Sequence, residues 1–179
     1  MGLDNFPHEY PCKRQGTAVI EKRTHTWTDD EGKVQSEDSY PIDCEATADA
    51  GGCPFLNADP PADGAVLGML GTHCWYRGKY GNWLLRALSS NTTDIDAVDD
   101  LLTDYGDDNF YGTDADGLHR PAGACLSLAD QMESALDERD GKLVFINDGK
   151  EDDRTADAKY AIWYLRWVAK ECDGMGAWY

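Results

Sequence analysis

The hydrophobic pattern changes character along the chain, and that change limits the fold more than any other feature. Residues 16–27 are rich in β-branched and aromatic side chains: Thr17, Val19, Ile20, Thr24, Thr26 and Trp27. The cluster Asp29-Asp30-Glu31-Gly32 has turn chemistry, and residues 34–44 return antiparallel. Past residue 120 the apolar spacing becomes helical. Cys125, Leu128, Ala129, Met132 and Leu136 follow a three-four spacing in a helix from Pro121 to 138 that Gly141 closes. Residues 152–172 read as the longest helix, apolar at Ala161, Tyr164, Leu165, Val168 and Cys172, with Trp163 and Trp167 on an adjoining stripe and Gly174 as its stop. Residues 82–88 also look helical, and Thr93 or Asp94 can cap a helix carrying Ile95, Val98, Leu101 and Leu102. Residues 143–146 are a short buried strand. The glycines and prolines of 46–64 and the Asp and Gly residues of 104–119 mark loops.

The expected fold is α+β, with an N-terminal antiparallel β-hairpin packed against a bundle of three to four helices. The chain reads as a single acidic α+β domain over 1–179, with the hairpin and a Cys-bearing loop in 1–60 and a mainly helical part in 65–179. The expected core draws on Val19, Ile20, Leu84, Leu85, Leu101, Leu128, Met132, Leu143, Ile146, Ile162 and Leu165. A length of 179 residues is enough for a real hydrophobic core.

Charge narrows the function. The chain has 34 acidic and 16 basic residues, a formal net charge of −18. The acids are spread over the whole sequence, not gathered in a tail. Such a body repels phosphate backbones and anionic lipid, which argues against direct nucleic-acid or membrane-surface binding and favours a basic protein partner. The first ten residues are polar and acidic with no apolar stretch, so no secretory signal is read there and the expected location is cytoplasmic, with no transmembrane segment. Six cysteines in such a chain point to thiols or metal ligands rather than disulfides.

The sharpest constellation is Cys12, Cys44, Cys53 and Cys74, with His8 and His73 as alternative ligands. With the hairpin turning at residues 29–32, Cys44 faces roughly Thr17, Cys12 lies just past the open end, and the Gly-rich loop can bring Cys53 back. Three thiols then converge, and a structural zinc ion needs four thiolate or imidazole ligands. No C-x₂-C pair is present, so buried thiols acting as small apolar groups are the competing reading. Catalysis by Cys74 with His119 or His25 as base has no local motif behind it. Asp107, Asp108, Asp114 and Asp116 sit in a Gly-bearing loop that fails the EF-hand pattern, so a solvated acidic loop is favoured over a cation site. The run from Trp75 to Trp83 puts Arg77 and Lys79 among four aromatics; its rings are expected in the core and its cations on local Asp residues. The terminal Trp178-Tyr179 is expected to dock as a last strand.

Several pieces follow one another in a suggestive order. An aromatic run bears Arg and Asn (Trp75-Tyr76-Arg77-Gly78-Lys79-Tyr80-Gly81-Asn82-Trp83-Leu84-Leu85). An acidic loop carries Asp114, Asp116 and Gly117. A Leu-Ala-Asp helix covers 128–136, and a last helix leads to a Gly-aromatic terminus over 163–179. In these pieces residues 70–179 resemble a loose group of small proteins from bacteriophages and actinobacteria. The group has no assigned activity, so the resemblance implies no catalytic residue. It implies a phage or prophage accessory protein working in the host cytoplasm. The expected function is a non-catalytic acidic binding protein that docks on a basic host protein. A virion or assembly protein and a metal-dependent hydrolase are the alternatives.

Overall fold

The computed structural model of the chain describes residues 4–61, 66–70, 74–90, 92–101 and 119–178. It is mixed α+β. In chain order the elements are β1 (Asp4–Pro7), α1 (Pro11–Gln15), β2 (Arg23–Thr28), β3 (Val34–Ser39), α2 (Cys44–Asp49), β4 (Met69–Leu70), β5 (Trp75–Arg77), α3 (Gly78–Ser89), α4 (Ile95–Leu101), β6 (His119–Pro121), α5 (Ala122–Asp137), β7 (Val144–Asn147), β8 (Lys150–Asp153), α6 (Thr155–Glu171) and β9 (Gly174–Trp178). Two compact units form, Met1–Tyr10 with Asp59–Tyr179, and Pro11–Ala58.

The first unit is built on an antiparallel sheet in the order β4-β5-β1-β9-β6. Alternation along the strands puts Asn5, Pro7, Tyr76, Met175 and Ala177 on one buried face. Helices α3, α5 and α6 pack there, each through the apolar stripe its spacing encodes. Leu84, Met132, Tyr160, Tyr164 and Leu165 are fully buried, and each such side chain contributes about 1.5–3 kcal/mol. The buried tyrosines stay satisfied. Tyr164 Oη donates to the Cys74 carbonyl at 3.0 Å, and Tyr76 Oη donates to the Leu67 carbonyl at 3.0 Å. The two rings stack with centroids 5.2 Å apart.

The terminal strand docks between β1 and β6, and glycine makes this possible. Gly174 has φ +101°, and a Cβ there would run into the Arg120 carbonyl oxygen. A Cβ on Gly176 would lie 2.6 Å from the Phe6 ring. Arg139 ties off the end of α3 by donating to the Ala87 carbonyl at 3.0 Å. The hairpin β7–β8 is locked to α6 by two hydrogen bonds. Leu143 N–H donates to Thr155 Oγ1 at 2.9 Å, and Arg154 N–H donates to the Leu143 carbonyl at 2.8 Å.

In the unit Pro11–Ala58 the expected hairpin is present but shorter. Strand β2 pairs with β3 from Arg23↔Ser39 to Thr28↔Val34, and an isolated bridge joins Ile20 to Ile42. This register differs by one residue from the expected one, and a one-residue slip exchanges the two faces of a ribbon. The turn is fixed by Asp29, whose Oδ1 accepts from the Glu31 and Lys33 amides at 3.1 and 2.9 Å. Beyond the bridge, Cys44 opens α2 rather than extending the strand. Asp43 caps that helix, accepting from Ala46 N–H at 2.9 Å.

The expected core is correct at Leu84, Leu85, Leu128, Met132, Leu143, Ile162 and Leu165. It is wrong at Val19, Ile20 and Ile146, which are 37%, 46% and 51% exposed. The helices cover a five-stranded sheet whose strands β1, β4, β5 and β6 are too short to leave a periodic signal.

Candidate functional site

Three of the four predicted metal-ligating cysteines lie in Pro11–Ala58. Cys12 is in α1, Cys44 opens α2, and Cys53 follows the turn after α2. Thr17 and Thr47 hold these pieces together. Thr17 Oγ1 donates to the Gly52 carbonyl at 2.8 Å, and its amide donates to the Cys12 carbonyl at 2.9 Å. Thr47 Oγ1 donates to the Asp43 carbonyl at 2.6 Å and accepts from Val19 N–H at 2.9 Å. Gly52 is needed here, because a Cβ would sit 2.6 Å from the Thr17 carbonyl oxygen.

Cys12 and Cys53 are buried and Cys44 is half-buried. Burial pushes the Cys44 thiol up to about 11, and Cys12, Cys53 and Asp43 add to the rise. Burial also raises Cys12, against the backbone hydrogen bond at Lys13 and with Cys53 adding to it. The three thiols therefore lie within electrostatic reach of one another. The raised Cys12 and Cys44 thiols hold their protons at neutral pH, which works against a nucleophilic role for these two. Among the described residues no group of three or more His, Cys, Asp or Glu side chains is arranged to hold a metal ion.

Cys74, the fourth candidate, belongs to the other unit. It is buried with φ +58°, and its carbonyl accepts from Tyr164. His8 stacks on His119 with ring centroids 3.8 Å apart, and His119 Nε2 lies 3.3 Å from the Asp173 carbonyl oxygen. His25 is exposed on β2. His73 and the acidic loop residues Asp107, Asp108, Asp114 and Asp116 lie outside the described residues.

The β2–β3 ribbon is open to solvent. Every residue of β2 is exposed, Trp27 at 47%, and Val34 opposite its last residue is 67% exposed. Register puts Trp27 on one face with His25, Gln35 and Glu37, and Val34 on the other with Thr28, Ser36 and Asp38. Two of the ribbon's cations are already neutralised: Lys22 by Asp38 at 2.6 Å and Arg23 by Glu21 at 2.7 Å. The exposed charge on the turn and β3 is mainly acidic, from Asp30, Glu31 and Glu37, with Lys33 the cation at the turn.

The aromatic run 75–83 divides between sheet and helix. Trp75 packs by Phe6 at 5.9 Å and donates from Nε1 to Tyr10 Oη at 2.7 Å. Tyr76 and Trp83 are core, as expected. The expected ion pairs are not made: neither Arg77 nor Lys79 pairs with a carboxylate among the described residues, and Lys79 Nζ instead lies 4.7 Å from the centroid of Tyr80. Lys79, Tyr80 and Trp83 form one wall of a cleft of about 450 Å³, with Ile95, Asn147 and Arg154 on its other sides. Sequence reasoning singled out the first wall through its composition. The remaining residues come from three separate segments and carry no shared sequence signal.

No family model, no curated protein and no solved structure matches this chain. Among the described residues, no helix is long and apolar enough to cross a membrane.

Proposed function

We propose that the chain is a non-catalytic acidic binding protein that docks on a basic protein partner through the β2–β3 ribbon. The observation that carries this reading is the exposure of Trp27 and Val34 on a ribbon surrounded by carboxylates. A two-stranded ribbon gains little by holding a tryptophan in water. Against a partner the same indole becomes an anchor, while the surrounding acids steer a cationic surface into encounter. The raised thiols and the lack of a described metal group give no support to a catalytic centre in this unit. The resemblance of residues 70–179 supports a phage or prophage accessory role in the host cytoplasm.

The test is capture of a basic partner by immobilised protein at low and high salt, with Trp27→Ala and Glu37→Gln as controls. Loss of the partner in Trp27→Ala and at high salt supports the reading. Equal capture by wild type and Trp27→Ala overturns it. A structural zinc ion on Cys12, Cys44 and Cys53 is a companion proposal: the electrostatic coupling of these thiols supports it, and the lack of a metal-holding group among the described residues counts against it. Near-stoichiometric zinc in protein purified without added metal supports it. Metal-free protein whose melting is unchanged by added zinc overturns it.

A further inference from the structure

We infer that the basic partner docks by adding an extended segment as a third strand along the open edge of β3. The inference rests on docking through the ribbon and names the form the partner takes there. The ladder fixes which backbone groups face outward. Asp29 N–H donates to the Lys33 carbonyl at 3.0 Å, Glu21 N–H to the Pro41 carbonyl at 3.0 Å, and Asp43 N–H to the Val19 carbonyl at 2.8 Å. Bonded and non-bonded pairs alternate along an antiparallel ladder. The pairs Arg23↔Ser39, His25↔Glu37 and Trp27↔Gln35 are therefore the bonded ones, and those between them are not. Val34, Ser36 and Asp38 thus turn their N–H and C=O groups away from β2. All three residues are exposed, and among the described residues no third strand pairs with the ribbon.

An open edge is commonly kept from pairing by proline, by a bulge or by charge, lysine above all. Strand β3 has no proline and no lysine, and its register with β2 runs unbroken from Val34 to Ser39. Its protection is acidic. Asp38 is answered by Lys22 at 2.6 Å and by Thr24 Oγ1 at 2.8 Å. Glu37 is exposed and makes no ion pair among the described residues, and Asp30 and Glu31 are exposed at the turn end. Such an edge repels an acidic strand, a second copy of this chain included, and accepts a cationic one. The other edge does not compete, because β2 has no carboxylate to hold a cation and carries Arg23 and His25. On β3 the backbone bonds supply affinity and alternate side chains supply selectivity. Every second side chain of the added strand lies on the face of Gln35 and Glu37. A cation opposite Glu37 completes a cross-strand pair there. The Trp27 indole stands one strand further on the same face, where a long side chain of the segment can meet it.

Titration of the full chain with a peptide of alternating lysine and valine tests this. The controls are the same peptide with its backbone amides methylated and a peptide of alternating glutamate and valine. The lysine peptide is expected to bind at least about tenfold more tightly than either control, because only it offers both cations and backbone donors. On binding, amide hydrogen exchange should slow at Val34, Ser36 and Asp38 and stay unchanged at Gln35 and Glu37, which are already bonded within the ribbon. Ser36→Pro should weaken binding by at least about tenfold and Ser36→Ala should retain it, since the proline blocks the outward edge without removing a ladder bond. The methylated peptide makes the same test with the protein unaltered. Strand addition is overturned if the methylated peptide binds as well as its parent or if the lysine peptide does not bind. It is also overturned if gel filtration shows a dimer that Ser36→Pro dissolves, which would give the edge to a second copy. A basic partner lost in Trp27→Ala but kept by Ser36→Pro would overturn strand addition and leave ribbon docking standing, whereas a partner kept by Trp27→Ala would overturn the ribbon reading itself.

Discussion

The two compact units are held together by different means. Among its described residues, the unit of Met1–Tyr10 and Asp59–Tyr179 buries stacked tyrosines, aliphatic stripes from three helices, and one face of strands β1, β5 and β9. The unit Pro11–Ala58 buries little beyond Pro11, Cys12, Thr47, Cys53 and Phe55, and relies on hydrogen bonds from Thr17, Asp43 and Thr47. Small units with so little apolar burial usually need an extra staple. The comparison separates two characters: one unit holds the large apolar core, and the other keeps Trp27 and Val34 in water, as the proposed docking requires.

Core truncation should show the largest effect. Leu165→Ala is expected to cost about 2–5 kcal/mol in chemical denaturation, whereas Trp27→Ala should change stability by no more than about 0.5 kcal/mol. Comparable losses would break the contrast. Next comes Thr47→Val, which leaves the Val19 amide without its acceptor and removes the bond to Asp43; a loss of about 1–3 kcal/mol is expected, read by denaturation of the full chain.

Alkaline pH probes both units through one group each. Burial raises Cys44 and Cys125 to about 11, from an ordinary value of 9.0. The folded chain holds these protons while the unfolded chain releases them, so the contribution is complete below pH 9 and is lost as pH rises toward 11. The melting temperature should fall across that window. Cys44→Ala should flatten the fall, and a curve identical to wild type would show that this thiol is not desolvated.

The smallest effect belongs to Arg166, which bridges Glu133 at 2.6 Å and Asp130 at 3.0 Å on the exposed side of α5 and α6. The guanidinium holds the Glu133 carboxyl below its ordinary range, so this support is present above the ordinary carboxylate value and disappears as pH falls through the lowered one. Arg166→Ala should cost less than about 1 kcal/mol at neutral pH, because solvent screens the pair. A larger loss in denaturation would mean that the packing of α5 on α6 depends on the pair.

Legibility followed the same division. The long helices α5 and α6 were visible because a three-four stripe repeats over several turns; they end at Asp137 and Glu171, a few residues before the expected stops Gly141 and Gly174. The strands β1, β5 and β6 were not visible. Each has three or four residues, and what recruits them to the sheet is pairing with strands far away in sequence: β1 and β6 with β9, and β5 with β1. Val19 and Ile20 misled because β-branched residues mark a strand without saying whether either face is covered. The hairpin turn led to the expectation that Cys12, Cys44 and Cys53 converge; these thiols do influence one another electrostatically, but among the described residues they form no metal-holding group. Cys74 joined the expected group only by its type and its place in sequence, and it belongs to the unit of Met1–Tyr10 and Asp59–Tyr179.

The most direct test of the account is the binding of the captured basic partner to wild type and to Trp27→Ala, measured by titration at low salt with the melting temperatures of both proteins recorded alongside. The account predicts matched melting and an affinity reduced by at least about tenfold when the indole is removed, as expected for a recognition anchor. Unchanged affinity with unchanged melting would contradict it, because the exposed ribbon would then take no part in recognition.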